Sequence, residues 1–209
     1  MNEHPTPARR SPRRLLAVVV VAVTGLVVGY GAVEWLRPHT FSGTVLQSPT
    51  AAPPLTGLTV HTGEPADLSE FRGQVVLLYF GYTNCPDICP ATLSNAARAI
   101  DAMGPAGEDV ELLMVTVDPA RDDPRTLGDY VGHFHPRFLG VHGSEEELRT
   151  AASQYGVVFR KAEGSGATGY LVDHTVSLMA IDPEGFLRVV YPVDVPPSEL
   201  AADLEELLG

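Results

Sequence analysis

Val75-Val-Leu-Leu-Tyr-Phe80 is an unbroken apolar run between Gly73 and Gly81. A strand with one wet face alternates apolar and polar side chains. A strand with no polar position must be covered on both faces, as inside a parallel sheet, so the chain has to fold in layers around this run. Directly beyond it, in Tyr82-Thr-Asn-Cys85-Pro-Asp-Ile-Cys89-Pro90, stand the only two cysteines of the 209 residues. Leu93, Ala96, Ala97, Ile100 and Met103 then recur at helical spacing until Gly104. Pro90 fits the first position of that helix, with Cys89 near its N-cap. Two soft sulfur ligands at the mouth of a strand-loop-helix unit suit thiol redox chemistry or a soft metal ion.

The rest of the chain repeats the layered pattern. Glu111–Val117 reads as a second buried strand and Phe138–Val141 as a short one, after weak strand character at 57–60 and a turn at 67–73 with Leu68 and Phe71 inward. Asp123 before Pro124 opens a helix with Leu127, Tyr130, Val131 and Phe134 on one face. Ser144-Glu-Glu-Glu147 is a capping box opening another, with Leu148, Ala151, Ala152 and Tyr155 inward and Gly156 at its end. Val157–Phe159 begins a strand, 164–169 reads as a flexible loop, and His174–Ile181 reads as one strand. Asp182-Pro-Glu-Gly185 turns that strand into Phe186–Tyr191. Ser198 is placed to cap a last helix carrying Leu200, Leu204, Leu207 and Leu208. Strands alternating with helices, then a hairpin and a closing helix, predict an α/β sandwich around a central mixed sheet.

The first part of the chain differs sharply. Arg9, Arg10, Arg13 and Arg14 precede a run from Leu15 to Val33 without a charged residue. At 1.5 Å per residue it reaches about 28 Å, close to the hydrocarbon thickness of a bilayer. The expectation is a cytoplasmic N-terminus at 1–14, a single transmembrane helix at 15–36, a Pro/Ser/Thr-rich linker at 37–56 and an extracytoplasmic domain at 57–209. Within the linker, Phe41–Leu46 could form a short docking strand. A cleaved signal peptide is the alternative, but its apolar region is shorter and no clear small-x-small site precedes Glu34-Trp35. No cysteine ends the run, so a lipoprotein is excluded.

Beyond Arg37 nine Lys and Arg face 24 Asp and Glu, a net charge near −15. That argues against nucleic acid and against lying on an anionic membrane surface. Most of these acids read as a solvated surface.

A cysteine pair at a helix start is the thioredoxin layout, where the helix N-terminus activates the first thiol. Redox members use C-x-x-C, whereas this spacing is C-x-x-x-C. The extra residue puts Cys85 and Cys89 about one helical turn apart, so both sulfurs can reach one ion or each other. Pro86 and Pro90 stiffen the loop. Two cysteines are too few for an iron–sulfur cluster and serve zinc only with two more ligands. Cu(I), content with three ligands, is economical. A plain structural disulfide is the bland reading. A third ligand should be a histidine. His4 and His39 lie outside the domain, and His61, His133, His135 and His142 sit in loops or at helix ends, where solvated or capping roles suffice. That leaves His174, in Tyr170-Leu-Val-Asp173-His174-Thr175, either as ligand or as a hydrogen-bonding histidine.

Three stretches together, Phe80–Pro90, Val115-Thr-Val-Asp118-Pro-Ala-Arg121-Asp122-Asp-Pro124 and Tyr170–Thr175, resemble the Sco/SenC family of membrane-anchored copper-binding proteins. Members help assemble the copper A centre of cytochrome c oxidase. The similarity runs from about Phe41 to Leu208. It implies a thioredoxin-like fold and one copper ion, Cu(I) or Cu(II), bound by Cys85, Cys89 and His174, with Cys85 and Cys89 also able to form a redox-active disulfide. It implies an inner (plasma) membrane location. The implied partners are the copper-bearing oxidase subunit, a copper donor protein and a thiol reductant. Loop roles are implied for Asp87 and Asp173; read structurally, Asp87 is placed to cap the loop and Asp173 to orient the His174 imidazole. The Asp118–Asp122 loop reads as architectural, with Arg121 paired to an acid. Asp123 stands where the family has Thr, and both cap helices. Leu178-Met179 stands where the family often has Tyr-Leu, and Met179 reads as core rather than as a soft ligand. The functional expectation is a copper metallochaperone. The alternative is a thiol-disulfide oxidoreductase acting on the oxidase subunit. A peroxidase is the weakest reading, because Thr83 stands two, not three, residues before Cys85.

Overall fold

The computed structural model describes residue 16 and residues 21–30, 39–166 and 169–209; of 163–166 only the backbone is described. Met1–Thr40 and Phe41–Gly209 are separate compact units. In the first, helical backbone runs through residues 21–30 (α1), all exposed. Among the described residues no helix is long and apolar enough to cross a membrane. Half of the span expected at 15–36 lies outside the described residues.

The second unit is built on seven strands: β1 (Thr44–Ala51), β2 (Thr59–Val60), β3 (Val75–Gly81), β4 (Val110–Thr116), β5 (Leu139–His142), β8 (Leu178–Ile181) and β9 (Phe186–Tyr191). Their order is β1-β9-β8-β3-β4-β5-β2. The centre, β3-β4-β5, is parallel, and β8, β9, β1 and β2 add antiparallel edges. This is the mixed sheet expected from the alternation of elements. Every residue of β3 is buried, and β4 is buried except for Glu111. The helices are α2 (Ile88–Ala102), α3 (Pro124–Phe134), α4 (Glu145–Gln154) and α5 (Pro197–Leu208). α2 packs on α5, which also reaches β3, and α3 lies on β5. A separate hairpin, β6 (Phe159–Gly166) with β7 (Gly169–His174), stands outside the main sheet.

Local signals placed most boundaries. Asp123 accepts from the Thr126 N–H and caps α3 with Pro124 first, and Ser144 and Glu147 close both halves of the capping box of α4. Gly156 takes a positive φ of 70° and ends that helix. Within the expected linker, residues 44–51 form β1 against β9, Leu55 is buried, and the Tyr155 hydroxyl donates to the Pro53 carbonyl. The compact unit accordingly begins at Phe41.

Three expectations need correction. α2 starts at Ile88 with Asp87 as its N-cap, so Cys89 is its second residue and Pro90 its third. Proline is tolerated there because the first helical N–H groups have no partner within the helix. Similarly, α5 is capped by Pro196 rather than Ser198. The strand expected from His174 to Ile181 is two strands, broken over residues 175–177. β7 buries only Val172 while all four residues of β8 are buried, so the two segments face different surroundings. Thr175 keeps the chain on the hairpin: its N–H donates to the Val158 carbonyl, and its hydroxyl accepts from the Val158 N–H. His174 therefore ends the hairpin instead of opening a core strand.

Gly81 closes β3 where space is short. A Cβ there would lie 2.7 Å from the Tyr79 ring, 3.2 Å from the Cys89 sulfur and 3.3 Å from the Met114 methyl. Tyr79, Cys89 and Met114 are fully buried and have nowhere to yield. Gly81→Ala is expected to destabilise the reduced protein by about 1–3 kcal/mol, as overpacked cores do. Urea denaturation checks this, and a change below about 0.5 kcal/mol, typical of surface positions, would contradict it.

Candidate metal centre

The site grows out of the end of β3. The chain turns at once, with the Cys85 N–H donating to the Tyr82 carbonyl at 3.2 Å. The turn leaves Cys85 partly exposed and carries Cys89 to full burial in the first turn of α2. Both cysteines are free thiols. The Cys89 thiol donates to the Cys85 sulfur, and the N–H groups of Cys89, Asp87 and Ile88 point at the same atom. Together they outweigh burial and hold the Cys85 thiol at about 5, well below its ordinary value. The same hydrogen bond, reinforced by burial, pushes Cys89 up. One proton is thus kept between two sulfurs, on Cys89.

Two tyrosines fix this pair from below. The Tyr79 hydroxyl donates to the Cys89 sulfur at 3.3 Å, and burial raises its own pKa. Tyr82 is 3% exposed, accepts the Val172 N–H on its hydroxyl at 3.3 Å, and donates to the Cys85 sulfur. Through Tyr82 the cysteine loop touches β7.

His174 stands at the end of β7, edge-on to Tyr82 with ring centroids 5.9 Å apart. With Nδ1 donating to the Thr175 carbonyl at 3.0 Å, Nε2 is left with a lone pair. Burial lowers the imidazole pKa, while the Thr175 carbonyl, the Cys85 thiolate and Asp173 oppose the shift. The ring is therefore neutral near pH 7, as a metal ligand must be. Cys85 and Cys89 are brought together, and His174 is near enough to feel the Cys85 charge. Among the described residues, however, no three His, Cys, Asp or Glu side chains are gathered at metal-holding distance. His174 instead lines a shallow depression of about 260 Å³ with Val158, Phe159, Arg160, Asp173 and Thr175.

The other candidates fall into structural places. Asp173 pairs with Arg160 at 3.3 Å instead of with the His174 ring, because successive β7 side chains leave on opposite sides of the hairpin. Asp87 makes no side-chain cap bond. Met179 is 3% exposed in β8. His142 bonds the Thr59 hydroxyl at 3.0 Å, His61 accepts from the Gly140 N–H at 3.1 Å, and His135 accepts from the Arg137 N–H at 3.3 Å. His133 sits in the last turn of α3. Arg121 pairs with Asp118, as expected. Sequence reasoning missed Tyr79 and Tyr82, and it missed Asp122. The Asp122 carboxylate accepts from the Thr83 N–H at 3.1 Å, the Thr83 hydroxyl at 2.6 Å and the Thr116 hydroxyl at 2.7 Å. No local pattern signals a bond across 39 residues.

The two thiols should react very differently. A thiolate alkylates and a thiol does not. The iodoacetamide rate at Cys85 is expected to follow a titration centred near pH 5. Cys89 should stay unmodified through neutral pH. Peptide mapping after timed labelling checks this, and equal labelling of both at pH 7 would contradict the shared-proton arrangement.

Comparison with known proteins agrees across the domain. The SCO1/SenC family model matches residues 54–209. The mouse mitochondrial SCO2 homologue is 38% identical over 134 residues, covering 63% of this chain and 52% of its own. The chain thus spans about half the length of such mammalian relatives. A SCO2-like protein of Rickettsia felis is 28% identical over 200 residues, covering 88% of this chain and 93% of its own. Among solved structures, apo Sco1 of Thermus thermophilus is 40% identical with a TM-score of 0.70, covering 81% of this chain and 98% of the other. ScoI of Bradyrhizobium japonicum, solved with copper bound, is 30% identical with a TM-score of 0.66, covering 77% and 98%. The mixed-sheet fold is that of these structures, the thioredoxin-like one. With three quarters of its residues inside the family model, this chain belongs to the SCO1/SenC family.

Proposed function

We propose that this protein is a copper metallochaperone that binds one copper ion through Cys85, Cys89 and His174 and assists assembly of the copper A centre of cytochrome c oxidase. The observation that carries this reading is the sulfur pair: two free cysteines at the end of β3, Cys85 partly exposed with its pKa lowered by surrounding donors and Cys89 buried against Tyr79. Soft thiolates select Cu(I), and the free Nε2 of His174 adds the donor that Cu(II) prefers. Copper would take the place of the proton held between the sulfurs and release it. His174, which is not gathered with the sulfurs in this structure, would close on the ion. The solved relatives with copper bound support copper as the cargo. The partners follow from that role: the copper-bearing oxidase subunit as acceptor, a copper donor protein, and a thiol reductant outside the cytoplasm.

A second reading is favoured by the asymmetry of the cysteines. The Cys85 thiolate attacks a target disulfide and forms a mixed disulfide, releasing one target thiolate. Cys89 then loses its proton and displaces the second target sulfur. The target gains two electrons and the Cys85–Cys89 pair is oxidised to a disulfide. Both readings need the pair reduced again, and the chain has no other cysteine to do so.

Anaerobic titration of the full chain with Cu(I), followed by mass spectrometry, separates these roles. The reduced form should take one equivalent and the oxidised form close to none. His174→Ala should weaken Cu(II) binding about 10- to 100-fold and alter its spectrum, the scale typical for loss of metal-site support. Alanine at His133, His135 or His142 should change little. Equal binding by reduced and oxidised protein would remove the cysteines as ligands.

We place the protein in the inner (plasma) membrane, with 1–14 in the cytoplasm, 15–36 as a single-pass anchor and the domain outside. The arginine cluster before a long uncharged run supports this. Reporter fusions after Thr50 should be active only for a reporter that works outside the cytoplasm, and full-length protein in the cytosol would refute the topology.

A further inference from the structure

The loop between β4 and α3 is bonded to both halves of the site. On one side, Asp122 is 2% exposed and holds the cysteine loop by the Thr83 N–H and hydroxyl, two residues before Cys85. The same carboxylate accepts from the Thr116 hydroxyl at the end of β4, and Thr116 accepts the Asp118 N–H. On the other side, Asp118 is fully buried and accepts the Tyr170 hydroxyl at 2.6 Å. Arg121 pairs with Asp118, donates to the Tyr170 carbonyl at 3.1 Å, and lies 3.8 Å over the Tyr170 ring. Tyr170 is in β7, the strand that ends at His174. Arg121 also lies 5.9 Å from the Tyr82 ring, against which His174 packs. The loop closes on itself, with the N–H groups of Arg121 and Asp122 both bonding the Asp118 carbonyl.

We propose that Asp118, Arg121 and Asp122 are positioning residues: they form a clamp that fixes the cysteine loop through Thr83 and the His174 hairpin through Tyr170, and so sets the spacing between the two halves of the site. Among the described residues, β6 and β7 pair only with each other and have no ladder to the main sheet. Side-chain links, together with the packing of buried Phe159 and Val172 into the core, therefore determine where His174 stands. Buried, charge-assisted hydrogen bonds are suited to this, since they are strong in low dielectric and costly to misplace. The clamp rests on the proposed copper site only for its consequence in binding, not for its geometry.

Two near-isosteric substitutions cut one link each. Thr83→Val removes the hydroxyl bonded to Asp122, and Tyr170→Phe removes the hydroxyl bonded to Asp118 while keeping the ring under Arg121. Hydrogen exchange is measured by mass spectrometry on the reduced, metal-free full chain. Tyr170→Phe is expected to speed exchange in residues 82–85, and Thr83→Val in residues 169–174, each by roughly twofold or more, the lower range of coupling within one network. Thr83→Ser restores the wild-type rates. In copper binding, each cut lowers Cu(II) affinity about tenfold, and the double variant loses less than the product of the two. Exchange that rises only in the substituted element overturns the clamp, as does Thr83→Ser behaving like Thr83→Val or the two losses multiplying in full. If Thr83→Val fails to fold, Tyr170→Phe decides through residues 82–85. A wild-type chain that takes no copper refutes the chaperone reading, while the exchange comparison still decides the clamp.

Discussion

The burial of β3 on both faces is the constraint from which the rest follows. All seven of its residues are removed from water, and it bonds β4 on one side and β8 on the other. Such a strand has neither a wet face nor a free edge, so its end is among the least mobile points of the domain. The cysteine loop starts from that end. Tyr79, pointing within the core, reaches Cys89, and Gly81 leaves room for the sulfur. The reactive pair is therefore held by packing before any polar contact is considered.

Electrostatics then differentiates two chemically identical side chains. Cys85 lies on the partly open side and receives a thiol and three N–H groups; Cys89 faces tyrosine and apolar core. Donors around one sulfur and burial around the other push their pKa values apart, which concentrates negative charge on the accessible atom. This asymmetry serves a metal, which needs thiolates, and disulfide exchange, which needs one nucleophile and one resolving thiol. The two proposed roles, metal transfer and thiol exchange, thus draw on the same arrangement.

Much of the architecture was legible in sequence because its signals are local. The continuous apolar runs of β3 and β4, the Asp123-Pro124 start of α3 and the Ser144–Glu147 capping box each encode their element within a few residues. The boundary errors share one cause. Cys89 was read as near the N-cap because Pro90 suits a first helical position, yet proline is equally free of cost at the third. His174 was joined to the strand beyond it because residues 174–181 look uniformly strand-like; the break depends on Thr175 bonding Val158, the residue before the other strand of the hairpin.

By itself, the sequence determined the layered α/β plan, and through family resemblance it pointed to Cys85, Cys89 and, among seven histidines, His174 as the expected copper ligands. Those features reside in residue type and spacing along the chain. Tertiary structure alone decided that donors gather around Cys85 and lower its pKa, that Asp173 pairs with Arg160, and that His174 sits on a hairpin outside the main sheet. It also decided that Asp122 reaches Thr83 and that Asp118 reaches Tyr170 across 52 residues. The physical reason is range. Helix caps and strand patterns act within a few residues, whereas hydrogen bonding and desolvation depend on which distant groups folding brings together.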